Sequence, residues 1–236
     1  MIRAISLDLD DTLWPIEACI VRAEAALDEW MHHHCPAAAL RYPPLAMRAH
    51  RDQVWHSNPH LSHDLSSLRR MSLGEVFAHF GLGEEAVDHA MAAFNAARNR
   101  VDFYPDALPA LEELSRLLPL ASLTNGNADL DMIGIGAHFS ARVYSRDLGC
   151  AKPDRRMFEH AASLLEVDMG ELLHVGDDPV MDVVGARDAG CMAVWLDRGA
   201  CAWPPSLVPP ALRIESLDAL PALLADLQGS RREIRA

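Results

Sequence analysis

The chain has 236 residues, half of them apolar, which is enough for one large domain or a core with a smaller companion. Its 21 basic and 34 acidic residues leave a net charge of −13. That balance argues against broad contact with nucleic acid or an anionic membrane, although a few local charges still suffice for a small anion. Cys19, Cys35, Cys150, Cys191 and Cys201 are widely spaced and form no CxxC pair, so they read as reduced packing thiols. No apolar run reaches the ~18–20 residues of a membrane span, and the N-terminus enters a strand-like run at once. A cytoplasmic location is the expectation; the oligomeric state is not legible.

Ile2 to Leu9 is apolar on both sides of Ser6, as in a strand buried on both faces of a parallel sheet. From Pro15 to His34, Ile16, Ile20, Ala23, Leu27, Trp30 and Met31 recur at helical spacing, with Pro15 suited to the first turn. Ala37–Pro44 reads as loop, Leu45–Val54 as helix, Ser57–His63 as loop and Leu65–Phe80 as helix. Gly81-Leu82-Gly83 breaks the pattern before a helix over Glu84–Arg98. After Tyr104-Pro105-Asp106 strands and helices alternate. A helix through Leu108, Leu111, Leu114 and Leu117 leads to strands at Pro119–Leu123 and Ala141–Tyr144. A helix at Pro153–Leu165, a strand at Leu172–Val175, a helix at Pro179–Ala189 and a strand at Met192–Leu196 follow. Residues 197–214 form a Pro-rich connection with room for a short strand, and the polar end Gly229–Ala236 is expected to fray. Alternation of this kind means an α/β fold with a parallel sheet. The helical block at 14–103 is then an insertion after the first strand, and the sheet domain comprises 1–13 and 104–236.

Polar residues cluster where the predicted strands end, the place where open α/β sheets bind ligands. Asp8-Leu9-Asp10-Asp11-Thr12 follows the first strand, and its bland alternative is a solvated turn. Thr124-Asn125-Gly126 offers a hydroxyl, an amide and backbone N–H groups to phosphate oxygens; alternatively it opens a helix capped by Asn127. Lys152-Pro153 precedes a helix and supplies a point charge, or is a surface lysine. Gly176-Asp177-Asp178-Pro179 follows another strand. Asp178 before Pro179 has the form of an N-cap, and Asp182 lies one turn further on the same face. Asp8, Asp10, Asp177 and Asp182 would crowd one concavity opposite Lys152 alone, and like carboxylates do not all stay ionised cheaply. A hard divalent cation, magnesium, resolves this and accepts phosphate as a further ligand. His32-His33-His34 point ~100° apart on a helix and make a polar helix end, not a metal site.

The ordered set Asp-x-Asp-x-Thr, Thr-Asn, Lys-Pro and Gly-Asp-Asp-x-x-x-Asp resembles the haloacid dehalogenase superfamily over residues 2–14 and roughly 104–196. The resemblance implies a Rossmann-like three-layer core with a central parallel sheet and an inserted all-helical cap. LTNGNAD (123–129), KPDRRMF (152–158) and LLHVGDDPVMDVVGARDAG (172–190) look like the phosphatase type acting on flavin mononucleotide or 5-amino-6-(5-phospho-D-ribitylamino)uracil. On that likeness Asp8 attacks phosphorus and forms an aspartyl-phosphate, and Asp10 is the acid/base. Thr124 and Asn125 hold phosphoryl oxygens, and Lys152 offsets charge. Magnesium sits on Asp8, the Asp10 carbonyl and Asp177, with Asp182 and Asp178 behind. A dehalogenase attacks carbon and needs no acid two residues after its nucleophile, so Asp10 favours phosphoryl transfer. Trp14, at the junction with the cap, and Arg69, within it, are candidates for substrate contact; hinge packing and a surface position are their plainer readings. The expected partner is a small phosphorylated metabolite. Rival readings are a sugar phosphomutase, a receiver-like phosphoacceptor and a catalytically silent binding module.

Overall fold

A computed structural model describes residues 1–233. The strands are β1 (Ala4–Leu7), β2 (Leu120–Thr124), β3 (Ala141–Tyr144), β4 (Leu172–Gly176), β5 (Met192–Leu196) and β6 (Arg213–Ile214). They form a six-stranded parallel sheet in the order β3-β2-β1-β4-β5-β6. The helices, in chain order, are α1 (Ile16–His34), α2 (Pro36–Arg41), α3 (Pro44–Ser57), α4 (Leu65–Ala78), α5 (Glu84–Arg98) and α6 (Ala107–Leu117). Then come α7 (Leu130–Ile133), α8 (Ser145–Leu148), α9 (Arg155–Leu164), α10 (Gly185–Ala189) and α11 (Leu220–Glu233).

Two compact units result. One comprises Met1–Pro15, Phe103–Gly126 and the chain from Gly134 onward; the other comprises Ile16–Asp102 with Asn127–Ile133. In the sheet unit β1, β2 and β4 are buried along their whole length, which is why their sequences read as near-continuous apolar runs. Ala4, Ala121, Leu123 and Leu172 on one sheet face meet Met157, Phe158, Ala161 and Ala162 of α9 and Ala186 and Ala189 of α10. Because successive strand residues alternate sides, Ser6 and its cross-strand partner His174 share that face. In the helical unit Ala23, Leu27 and Met31 of α1 pack with Leu73, Val76 and Phe77 of α4 and Val87, Met91 and Phe94 of α5. These are the i, i+3, i+4 positions that the periodicity singles out.

Local chemistry explains where the structure departs from the sequence reading. Ala37–Pro44 is not all loop: α2 starts at Pro36, whose lost N–H is harmless at a first helical position, and runs through three alanines. Ser57–His63 contains a short 3₁₀ turn at Pro59–Leu61. Pro179–Val184 is a wide π-type turn in which Val183 N–H reaches the Asp178 carbonyl, and only then does α10 begin. Gly229–Glu233, expected to fray, continues α11; 234–236 lie outside the described residues. The segment Asn127–Ile133, read from sequence as part of the sheet domain, groups with the helical unit instead. Asn127 Nδ2 donates to Ser66 Oγ at 3.2 Å, and Asp129 N–H donates to Asn99 Oδ1 at 2.8 Å. Asp129, not Asn127, caps α7, accepting from Asp131 and Met132 N–H. All five cysteines are free thiols.

One polar knot closes the sheet unit. Asp106, at the start of α6, accepts two bonds from Arg198 at 2.9 and 2.8 Å, one from Ser216 Oγ and one from Leu217 N–H. Both side chains of the pair are under a tenth exposed. Asp106→Ala strands the Arg198 guanidinium and is expected to cost about 3 kcal/mol. A urea titration checks this: the midpoint should fall at unchanged slope, and a loss under about 1 kcal/mol would contradict the assignment.

Candidate active site

The adjacency of β1, β2 and β4 brings the loops that follow them together at the carboxyl end of the sheet. Asp8 leaves β1 with its N–H on the Val175 carbonyl at 3.0 Å, so the ladder itself places it. The next residues turn sharply. Leu13 N–H returns to the Leu9 carbonyl at 2.7 Å, and Asp11 takes a left-handed φ of 60°, which aspartate tolerates better than most residues. Asp11 N–H meets the Trp14 carbonyl at 2.8 Å, and Trp14 Nε1 donates back to Asp10 Oδ1 at 2.8 Å. Trp14 is wholly buried and edge-on to Phe103, so the substrate-contact reading is corrected: no ring face is open to a ligand. Its task is to hold the Asp10 carboxylate. The other Asp10 oxygen lies where a side chain on Gly126 would begin; a Cβ there would stand 2.4 Å from Asp10 Oδ2. Only glycine admits that approach.

Lys152 is 4% exposed and bridges two carboxylates, reaching Asp8 Oδ1 at 2.6 Å and Asp182 Oδ1 at 2.5 Å. The surface-lysine alternative is thereby excluded. Its backbone is set by Asn125, whose carboxamide accepts from Lys152 N–H at 2.7 Å and donates to the Lys152 carbonyl at 3.0 Å. The Asn125 side chain therefore positions the Lys152 backbone. Thr124 Oγ1 accepts from Gly126 N–H at 2.9 Å, shaping the same loop. Asp177 takes a bond from Thr12 Oγ1 at 3.0 Å, and its carbonyl accepts from Trp195 Nε1 at 2.9 Å. Asp178 caps the turn at Pro179, accepting from Val180 and Met181 N–H at 2.7 and 2.8 Å. Asp182 packs on Gly176, where a Cβ would fall 2.3 Å from its carboxyl carbon. Its Oδ2 accepts from Asp178 N–H at 3.0 Å, and its Oδ1 also meets His174 Nε2 at 3.1 Å.

The electrostatics follow from burial and charge count. Burial pushes the Asp8 carboxyl well above the ordinary range; Lys152 opposes this, while Asp182 and Asp177 reinforce it. Asp177 is raised to about 7 by burial and by Asp182. Burial also works against Asp182, but Lys152 and His174 outweigh it and hold that group ionised, below the usual range. Lys152 is raised despite burial, because Asp182 and Asp8 face it. One lysine thus serves one of its two buried partners fully, and Asp8 and Asp177 lack positive charge. Oxygens of Asp8, Asp177 and Asp182 lie within 4.8 Å of one another. Asp182 has donors on both oxygens, so Asp8 and Asp177 are the pair suited to a divalent cation.

Arg69 lies away from the surface position first assigned to it. It is half-buried on α4 with its guanidinium carbon 3.7 Å from the Phe94 ring centroid, and burial next to Arg51 lowers its pKa to about 10. Sequence reasoning missed Thr12 as the support of Asp177 and missed His174 altogether. The signal for His174 was present: a lone histidine in the otherwise apolar strand Leu172–Gly176.

A family profile described as haloacid dehalogenase-like hydrolase matches residues 2–190, and the chain belongs to that family. It is 33% identical over 231 residues to a 5-amino-6-(5-phospho-D-ribitylamino)uracil phosphatase, YigB, of Escherichia coli, covering 94% of this chain and 96% of that protein. A phosphoserine phosphatase of Thermus thermophilus is 41% identical over 131 residues, 53% of each chain. Among solved structures, a 2-haloacid dehalogenase from Pseudomonas syringae superposes with a TM-score of 0.89 at 33% identity, over 96% of this chain and 100% of that one.

A carboxyl raised from 3.8 to about 7 stabilises the cation-free fold most below pH 3.8, and that contribution is lost as pH rises through 7. A cation bound to the ionised group acts in the opposite sense, since at low pH it must displace the proton. If Asp8 and Asp177 hold the ion, any rise in melting temperature on adding magnesium should therefore be small at pH 5.5 and larger at pH 8. Differential scanning calorimetry with and without the ion checks it; a shift independent of pH would contradict the pairing of Asp8 with Asp177.

Proposed function

We propose that this chain is a magnesium-dependent phosphatase that hydrolyses a small organic phosphate monoester through an aspartyl-phosphate on Asp8. The observation that carries this reading is the fixed Asp10 carboxylate, bonded by Trp14 and seated over Gly126. Two relatives at the same identity carry different names, a phosphatase and a dehalogenase. Attack on a carbon–halogen bond has no use for a proton donor two residues beyond the nucleophile. Expulsion of an alkoxide from phosphorus does, and such proton transfer is worth about 10²–10⁴-fold.

In this reading Asp8 is the nucleophile and Lys152 holds its carboxylate oriented for in-line attack. Asp10 gives its proton to the leaving oxygen and then takes one from the water that hydrolyses the acyl phosphate. The Thr124 hydroxyl and the Lys152 ammonium face the phosphoryl oxygens and stabilise their charge. Asp8, Asp177 and the Asp10 carbonyl would hold magnesium. When bound, the ion neutralises the nucleophile and the substrate phosphate, supplying the charge that Lys152 alone does not provide. The helical insertion we assign as the cap that selects the leaving group. As substrate we favour 5-amino-6-(5-phospho-D-ribitylamino)uracil, on the strength of a relative matched over nearly its whole length, with flavin mononucleotide as the neighbouring choice.

The test is a panel of phosphate monoesters and 2-haloacids, ranked by kcat/KM with magnesium. Phosphate release from monoesters and no halide release is the expected outcome; halide release without phosphate release would overturn the proposal. Asp8→Asn should abolish turnover. Asp10→Asn should slow it by about 10²–10⁴-fold while the magnesium-induced thermal shift persists. Loss of that shift in Asp10→Asn would remove Asp10 from its acid/base role.

A further inference from the structure

Behind Lys152 a line of buried hydrogen bonds continues across β4 to β1 on the sheet face that α9 covers. Lys152 Nζ meets Asp182 Oδ1 at 2.5 Å, Asp182 Oδ1 meets His174 Nε2 at 3.1 Å, and His174 Nδ1 meets Ser6 Oγ at 2.8 Å. Ser6, His174 and Asp182 are all at most 1% exposed. The last contact is built into the sheet, because Ser6 of β1 and His174 of β4 are direct cross-strand partners. The imidazole is also held edge-on by Phe158, with ring centroids 5.2 Å apart. Two polar residues at one register of an otherwise apolar sheet face are a costly arrangement unless each is satisfied by the other.

The chemistry of the partners settles which nitrogen carries the proton. Asp182 sits against an ammonium group and is ionised, so both its oxygens only accept. His174 must therefore donate from Nε2. Burial disfavours the imidazolium. A neutral ring with hydrogen on Nε2 has a bare Nδ1, which accepts a hydrogen bond from the Ser6 hydroxyl. Asp182 thus sets the tautomer, and Ser6 satisfies the nitrogen that this leaves bare.

We propose that His174, held in the neutral Nε2–H form by the acceptor Asp182 and satisfied at Nδ1 by Ser6, is a positioning residue that orients Asp182 and through it fixes Lys152 on Asp8. Without the Nε2 donor, Asp182 keeps, among the described residues, Lys152 on Oδ1 and the Asp178 N–H on Oδ2, and Oδ1 loses one of the two donors that fix its direction. Lys152 then follows Asp182, and its ammonium no longer addresses the Asp8 oxygen in one geometry. The effect falls on the reacting arrangement and not on substrate affinity. This inference rests on the reading of Asp8 as nucleophile, but its spectroscopic arm does not.

The wild-type protein labelled with ¹⁵N-histidine gives the direct test. Long-range ¹H–¹⁵N correlation should show one ring with protonated Nε2 and bare Nδ1, unchanged from pH 6 to 9. A ring carrying Nδ1–H, or an imidazolium, overturns the proposal whatever Asp8 does. In the kinetic arm, His174→Leu should lower kcat on an aryl phosphate by about 10–100-fold, the range for outer partners of such sites, with KM little changed. His174→Gln, which keeps a donor near the Nε2 position, should recover most of that loss. Equal activity of His174→Leu and wild type, or a Gln variant that is folded by its melting curve yet no better than Leu, counts against the positioning role. Should Asp8→Asn remain active while the tautomer is as expected, it is the assignment of Asp8 that fails.

Discussion

The site depends on one lysine buried between two aspartates. Lys152 bonds both Asp8 and Asp182, and nothing else of positive charge among the described contacts reaches either carboxylate. Asp182 receives further donors from His174 and from the Asp178 backbone and so takes the larger share of the lysine's field. Asp8 and Asp177 are left short of charge, which shows as the upward displacement of both. A protein gains nothing in stability from that shortage. It is the condition under which a cation and a dianionic group are welcome, and it joins the folding energetics to the chemistry.

Close backbone approach is what makes the arrangement attainable. Asp10 and Asp182 each press a carboxylate against a glycine, Gly126 and Gly176, at separations that no side chain would allow. The residues that support them come from the same loops. Thr12 holds Asp177, Trp14 holds Asp10, and Asn125 clamps the backbone of Lys152 on both sides. The loop after β1 thus braces a carboxylate of its own and one on the loop after β4, and the loop after β2 braces Lys152.

The parallel sheet was legible because β1, β2 and β4 are buried throughout and their apolar runs end in polar motifs, whereas the order of the strands was not read from the sequence. The helical block was legible from spacing, as the buried faces of α1 and α5 show. What escaped was whatever depends on packing in three dimensions. A short alanine-rich helix between prolines looks like loop until its first turn is seen to need no N–H. Asn127–Ile133 follows a strand-end motif, yet its ties to Ser66 and Asn99 are long-range and leave no periodic trace. Trp14 has the ring of a ligand-stacking residue, and only its burial and its bond to Asp10 reveal a brace. Asn125 has the chemistry of a phosphate ligand, but the carboxamide is turned onto Lys152. His174 stands alone in an apolar strand, and a pattern search for paired ligands passes over it.

The central claim is that Asp8 and Asp177 share a divalent cation while Asp182 stays bound to Lys152 and His174. Anomalous diffraction from a crystal containing manganese, which takes the same oxygen ligands as magnesium, addresses it directly. One peak flanked by carboxylate oxygens of Asp8 and Asp177, with the Lys152–Asp182 contact intact, is the expected result. A peak coordinated by Asp182 with Lys152 displaced, or no ion between residues 8 and 177, would contradict the account.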